Sequence, residues 1–473
     1  MTGLVLESST TSAKAMLYDT KTGRVTVRTA PFTFGSGSSA EQDAGSIFAQ
    51  TAALGKALCG NEPVDVVSLS CTWHSVMLCD RQYRPVTPVL QWPYTGASGI
   101  CAELRRDAAF TDWFYRSTGC MVSAIYPAFK LKLLAQQGFD LSNHVAMGQE
   151  TYNFLRLTGE YAATASMASG SGLLNTHTQD YDDEVLRYVG IGRGSLPRLI
   201  CYGDTQPLSA EGAAALGLPA GIPVVPPASD GALNQLGANA ADSGIMTFSA
   251  GTSGALRLSV DRPVLPEDHS LWCYISPVSW LVGAATSGCC NCVDWARDQL
   301  FGGAAYADIE SGFRSGPEDT PVFLPFLYGE RCPGWDDTRT ASFSGVTERH
   351  DNYDKYHAML EGTLYNLYQC YENLCANAGT PREIRLSGGI LHSAYWTQMA
   401  ADIFGAPMAC ADMPHASLAG AAMLGMGALG VQSPLFSSQA YNMVCPNPAM
   451  TTRYAEKYAR YIAAYASGQS PDN

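Results

Sequence analysis

Charge is scarce in this chain, and basic charge scarcest. Only 15% of the 473 residues are Asp, Glu, Lys or Arg, and 29 Lys and Arg stand against 43 Asp and Glu, a formal net charge of −14. Without clustered Lys and Arg there is no grip for a phosphate backbone or an anionic lipid surface, so nucleic acid and membrane are excluded as partners. A bound nucleotide has to be held by local dipoles and a metal ion. Long apolar runs are missing too. The longest run of small apolar residues, LAGAAMLGMGALGV at 418–431, falls short of the roughly 18–20 residues of a membrane-spanning helix, and its Ala and Gly suit a buried helix packed closely on a neighbour. No basic-then-apolar segment of a secretory signal opens the chain. The 15 cysteines are scattered, and their one cluster, GCCNC at 288–292, does not match a zinc-ligand set; free thiols in a reducing cytoplasm are expected.

What is present describes a compact protein with many tight turns: 46% hydrophobic residues, 46 Gly and 26 Pro. A single core stops growing near about 250–300 residues, which predicts two domains. Residues 3–35 read as a strand meander, 45–59 as a helix, 64–71 as a fully buried strand and 102–137 as helical, so the first half is α/β. Further strands are expected at 272–285 and 383–389, and a long helix near 351–378.

One device occurs twice. LVLESSTTSAKAMLYD at 4–19 and GIMTFSAGTSGALRLSV at 244–260 each run from an apolar strand through a turn of Gly, Ser and Thr into a second strand. The spacing is about half the chain, which predicts duplicated halves, 1–240 and 241–473, with two polar hairpin turns facing across a cleft. Between them ASDG at 228–231 places Asp230 where a strand turns into a helix.

Backbone N–H groups in Gly, Ser and Thr turns form concave anion nests. A metal-bound polyphosphate also needs hard oxygen ligands, for which Glu7 and Asp230 are the candidates. Phosphoryl transfer needs a base for the attacking hydroxyl, a role that suits Asp230. Each feature has a plainer alternative: SSTTS as a hydrogen-bonded turn, Asp230 as a helix N-cap, and SGG at 387–389 as a strand end.

In order along the chain, STTSAKA, RLTGEYAATASMASGSGLL, ASDG, SAGTSG, LPFLYGERCPGWDD and LSGGILHSAYWTQMAADIFG resemble the FGGY carbohydrate kinases of the actin-like ATPase superfamily, over roughly residues 3–430. CTWHSVMLCD and TGCMVSAIYPAFKL lean towards gluconokinase-type members, with xylulokinases second. The resemblance implies two actin-like (ribonuclease H-like) domains, each a mixed β-sheet flanked by helices: an N-terminal sugar-binding domain and a C-terminal nucleotide-binding domain. It implies ATP and Mg²⁺ as cofactors and a small sugar or sugar acid as substrate, phosphorylated at a primary hydroxyl with Asp230 as general base. Trp73 and His74 would contact the sugar with Asp230. Thr10, Thr11 and Lys14 would lie by the γ-phosphate, Gly251, Thr252 and Ser253 would cradle phosphates, and Gly388 and Gly389 would admit the adenosine. Glu330 and Arg331 are expected to form a buried ion pair that pins their loop.

Several residues depart from the family pattern DxGTTSxKA. Glu7 replaces its Asp, adding one methylene that a water-mediated metal contact absorbs. Ser9 replaces its first Gly, a change worth about 1 kcal/mol if the backbone there is left-handed. The family's W-x-D-x-R reads WPYTG at 92–96, an expected Asp is Thr164, and a Gly-Gly on the adenine side reads Cys289-Cys290. The alternatives left open are a ketose or polyol kinase, or a sugar-binding sensor of the same fold that has lost transfer chemistry. A homodimer is among the expected assemblies. A chaperone-like ATPase would need an appendage for which the tail after ARYIAAYASG leaves no room.

Overall fold

The computed structural model describes residues 1–35, 37–242, 244–314, 316–411, 415–436 and 440–468. Two seven-stranded sheets organise it. In the first, strand Thr2–Ser8 lies between antiparallel Ser12–Asp19 and parallel Val66–Cys71, and it is buried along almost its whole length. Burial on both faces is why it reads as a continuous apolar run rather than an alternating one. Val25–Pro31, at the sheet edge, is mostly exposed instead, with only Val27 and Ala30 half-buried.

The second sheet repeats the plan. Read from one edge, the first runs 206–207, 223–224, 66–71, 2–8, 12–19, 25–31. The second runs 442–444, 408–410, 383–387, 245–250, 254–260, 280–286, with 272–275 added beyond. Neighbour relations match step by step: antiparallel, parallel, parallel, antiparallel, antiparallel. The chain is therefore built of two actin-like, ribonuclease H-like halves, each a mixed sheet with helices against it.

Two helices join the halves. Asp230–Gly237 leaves the first half, and Ala416–Ala428, from the second, lies against the first sheet, where Leu418, Ala421, Ala422 and Met426 cluster with Val5, Met16 and Tyr18. Their closeness depends on small residues. A Cβ on Gly420 would sit 2.1 Å from the carbonyl oxygen of Leu233, and one on Gly237 would sit 1.9 Å from that of Ala416. The Ala and Gly of the 418–431 run thus have the use expected of them. Among the described residues no helix is long and apolar enough to cross a membrane.

Gly420→Ala forces these backbones apart and is expected to cost ~1–3 kcal/mol as overpacking, read as a lowered thermal midpoint. On the same helix Gly427 has nothing within 4 Å of its built Cβ. Gly427→Ala should be neutral or stabilising by up to ~1 kcal/mol from helix propensity, and equal loss in both variants would contradict the packing argument.

Candidate active site

Strand register builds the first half of the site. Glu7 pairs across the sheet with Lys14 on one side and Ser70 on the other. Its side chain uses both: Lys14 Nζ donates to Oε1 at 2.7 Å, and Ser70 Oγ donates to Oε2 at 2.8 Å. Ser417 Oγ, at the start of the joining helix, donates to Oε2 as well. Cross-strand neighbours on one face meet in this way, so a carboxylate at this position is satisfied by its own fold.

The turn after it is closed by Ser9, whose N–H and Oγ both donate to the Ser12 carbonyl, at 3.0 and 2.7 Å. Ser9 is not among the residues with positive φ, so the strain that a Ser in place of Gly would carry there does not arise. Thr10 Oγ1 accepts from Trp92 Nε1 at 2.8 Å. Thr11 is exposed.

Asp230 is the first residue of its helix, yet it is not the N-cap. That role belongs to Ser229, whose Oγ accepts from the Ala232 N–H at 3.1 Å. The plain reading of Asp230 as a cap is therefore overturned, and its carboxylate is left for other work. Oδ1 accepts from the Gly231 N–H at 2.7 Å, and no ion pair to Asp230 occurs among the described residues. Burial pushes its carboxyl up to about 6 and the charge of Glu7 pushes the same way, while Arg257, the Gly231 N–H and Lys14 pull down. A half-buried carboxylate of this kind is ionised at neutral pH and more basic than an ordinary one.

Two adjoining cavities share Asp230, Gly231 and Arg257. One, ≈ 220 Å³, is polar and walled by Glu7, Ser9, Lys14, Ser249 and Ser417. The other, ≈ 240 Å³, is aromatic and takes its walls from both halves: Trp73, His74 and Trp92 from the first, Trp272, Tyr274 and Arg331 from the second. Trp272 and Tyr274 stack at 4.4 Å, and Trp73 meets Tyr274 edge-on at 4.9 Å.

The loops that carry these rings are pinned from beneath. Fully buried Lys130 donates to the carbonyls of His74 and Gln91 at 2.8 and 2.7 Å, and Trp73 Nε1 donates to the Ser166 carbonyl at 2.8 Å. His74 has φ 72, a left-handed backbone uncommon for a side chain of its size and typical of residues held in place for function. Its Nδ1 lies 2.6 Å from the Gly170 carbonyl and so carries the proton, which leaves Nε2 as an acceptor. Burial pushes His74 down to about 3, so it stays neutral.

The second hairpin forms a separate corner. Helix Cys290–Phe301 starts against it, its first N–H groups donating to the Gly251 carbonyl at 2.8 Å and the Thr252 carbonyl at 3.3 Å. Gly388, with φ 103, brings its backbone so near Ala250 that a Cβ would lie 2.4 Å from that carbonyl oxygen. Gly389 approaches the Cys290 sulfur at 3.0 Å in the same sense. Ser253 of this hairpin reaches the aromatic cavity.

Most candidate residues gather into three places: Glu7, Lys14 and Asp230 at the polar cavity; Thr10, Trp73, His74, Ser253 and Asp230 at the aromatic one; and Gly251, Thr252, Gly388 and Gly389 at the hairpin corner; Thr10 is thus separated from Lys14, with which it was expected, and exposed Thr11 lines neither cavity. Another expectation fails. Glu330 pairs with Arg339 at 2.9 Å and accepts from Tyr465 at 2.6 Å, whereas Arg331 turns to the aromatic cavity. Sequence reasoning also missed Arg257, Trp92, Trp272, Tyr274 and Ser417. A lone Arg in the buried strand GALRLSV and two aromatic residues at i, i+2 were the available signals.

The polar cavity suits a metal-bound polyphosphate. Glu7 and Asp230 face it with mutual repulsion that a dication relieves, and Lys14 and the Ser249 hydroxyl supply donors. No group of three or more His, Cys, Asp or Glu that could hold a metal ion occurs among the described residues.

Two ribonuclease H-like halves, with one carboxylate on the wall shared by an aromatic and a polar cavity, place the chain in the actin-like class. Sequence profiles for the N- and C-terminal domains of the FGGY family of carbohydrate kinases match residues 3–237 and 246–429. The chain belongs to this family and is a carbohydrate kinase, with ATP and Mg²⁺ as its phosphoryl donor system. It is 29% identical over 455 residues to a gluconokinase of Bacillus subtilis, covering 90% of this chain and 87% of that one. A xylulose kinase of Escherichia coli is 28% identical over 351 residues, covering 73% and 72%. Among solved structures, a ligand-bound xylulose kinase and a gluconate kinase, both from Lactobacillus acidophilus, superpose with TM-scores of 0.93 and 0.92 at 27% identity, each over 99% of both chains.

A Cβ on Gly170 would lie 2.6 Å from the Trp73 ring. Gly170→Ala should displace that wall and raise the KM for the acceptor about tenfold, with the KM for ATP within about twofold, on an overpacking cost of ~1–3 kcal/mol. Equal changes in both constants would detach Trp73 from acceptor binding.

Proposed function

We propose that this chain phosphorylates a small sugar or sugar acid, gluconate-like, at a primary hydroxyl, with Asp230 as general base. The observation that carries this reading is the position of Asp230: on the wall between the two cavities, relieved of capping by Ser229 and of any ion pair. The acceptor packs against Trp73 and the Trp272–Tyr274 stack, with His74 Nε2 accepting from one of its hydroxyls. Asp230 takes the proton of the attacking hydroxyl as that oxygen turns to the phosphoryl group.

On the donor side Lys14 and Arg257 stabilise charge on the phosphoryl group in flight. Bound Mg²⁺ would neutralise phosphate charge, and Glu7 and Asp230 would hold it, Glu7 through water. The second hairpin, Gly251, Thr252 and Ser253, offers backbone donors to the polyphosphate, and Thr10 and Thr11 stand on the opposing turn. Gly388 and Gly389 leave room for the nucleoside. In this reading nucleotide belongs chiefly to residues 241–473, and residues 1–240 share the sugar contacts with Trp272, Tyr274 and Arg331 of the second half. Closure about the two joining helices would exclude water from the cleft. The fifteen free cysteines support a cytoplasmic setting.

A coupled ATPase assay across sugars, sugar acids and polyols tests this. At least one acceptor should raise turnover well above background, with chelation of Mg²⁺ abolishing the gain. Asp230→Asn should lower kcat about 10²–10⁴-fold while calorimetry still detects acceptor binding. Wild-type turnover in Asp230→Asn would remove the base. Acceptor binding with no turnover and no Mg·ATP binding would favour the sensor instead.

A further inference from the structure

The aromatic cavity has an unbalanced charge inventory. Its lining holds one carboxylate, Asp230, and two guanidinium groups, Arg257 and Arg331, while His74 is neutral. Among the described residues no Glu, Asn or Gln lines it. A neutral polyol presents hydroxyls that donate as readily as they accept, and a wall suited to it offers carboxylate or amide oxygens. This wall, beside the Asp230 carboxylate and His74 Nε2, adds donors. The Nε atoms of Arg257 and Arg331 and the indole N–H of Trp272 are buried without a hydrogen-bond partner, and all three residues line this one cavity. Unpaired buried donors are costly unless a bound acceptor compensates them.

Nearby carboxylates do not supply the missing charge. Glu330 is taken by Arg339 at 2.9 Å, and Asp337, which faces Arg331 from the same loop, lies 3.6 Å from Arg105. Arg257 sits at the junction, with its Nη1 on Ser249 Oγ of the polar cavity at 3.0 Å, and so serves the transfer side as well. Arg331 belongs to the aromatic cavity alone.

We infer that Arg331, assisted by Arg257, recognises a carboxylate on the acceptor, so that the substrate class is an open-chain sugar acid whose far end presents a primary hydroxyl to Asp230. This rests on the reading of the aromatic cavity as the acceptor site. A carboxylate accepts several hydrogen bonds and donates none, and its planar pair of oxygens matches the guanidinium fork. It also brings the cavity's formal charge from +1 towards zero, in a protein whose net negative charge otherwise disfavours anions.

The test compares four- to six-carbon aldonic acids, including gluconate, with the matched alditols and with gluconamide. The wild type should prefer the best acid over its alditol by about 100-fold in kcat/KM, with gluconamide behaving like the alditol. Arg331→Gln should lower kcat/KM for the acid about 100-fold, mostly through KM, change the alditol less than about threefold, and be partly rescued by Arg331→Lys. Alditols or ketoses turned over as well as acids, or equal losses for both classes in Arg331→Gln, would overturn the inference. Calorimetry on Asp230→Asn reads binding separately. Acid bound in that variant but not phosphorylated by the wild type would sink the transfer reading and leave the carboxylate site standing, whereas acid neither bound nor phosphorylated would overturn the site.

Discussion

A carboxylate that its helix does not need is the constraint on which the rest of this structure turns. Ser229 caps the helix, so Asp230 can stand at the helix start without being spent there. Its neighbours are then arranged to keep it both ionised and basic. Glu7 is close enough to repel it, Arg257 and Lys14 close enough to hold it, and none of them forms a pair with it. A direct ion pair would have made it a poor proton acceptor; an apolar pocket without cations would have kept it protonated.

The duplicated halves supply this balance because each contributes what the other lacks. The first hairpin brings Glu7 and Lys14 into register, and the second sheet brings Arg257 and the Trp272–Tyr274 stack. The joining helices set the distance between the contributions. With carbonyl oxygens where a Cβ on Gly420 or Gly237 would fall, these helices approach as closely as backbones allow, and movement between the halves has to pass through that contact.

Much of this was legible in the sequence. The two Ser/Thr hairpins, the fully buried strand at 66–71, the long helix Asn352–Ala378 and Asp230 at a strand-to-helix turn are written in local patterns of period and turn chemistry. The partners of Glu7 were not, since Ser70 and Ser417 reach it from 63 and 410 residues away. The aromatic wall had the same obstacle, with Trp73 and Trp272 brought together only by the folding of two halves. Arg331 was misjudged for a different reason: adjacent residues on an irregular loop can face opposite ways, and Glu330 found its cation nine residues on. Ser9 looked strained by analogy with Gly, but its hydroxyl closes the turn with ordinary backbone angles.

The most direct test is a crystal structure of the protein with its acceptor and a non-hydrolysable ATP analogue. A primary hydroxyl is expected within hydrogen-bond reach of Asp230, about 2.6–3.2 Å, with the polyphosphate beyond it against Lys14 and the second hairpin. An acceptor seated outside the Trp73–Trp272 cavity, or one whose hydroxyl points away from Asp230 while phosphate approaches from elsewhere, would contradict it.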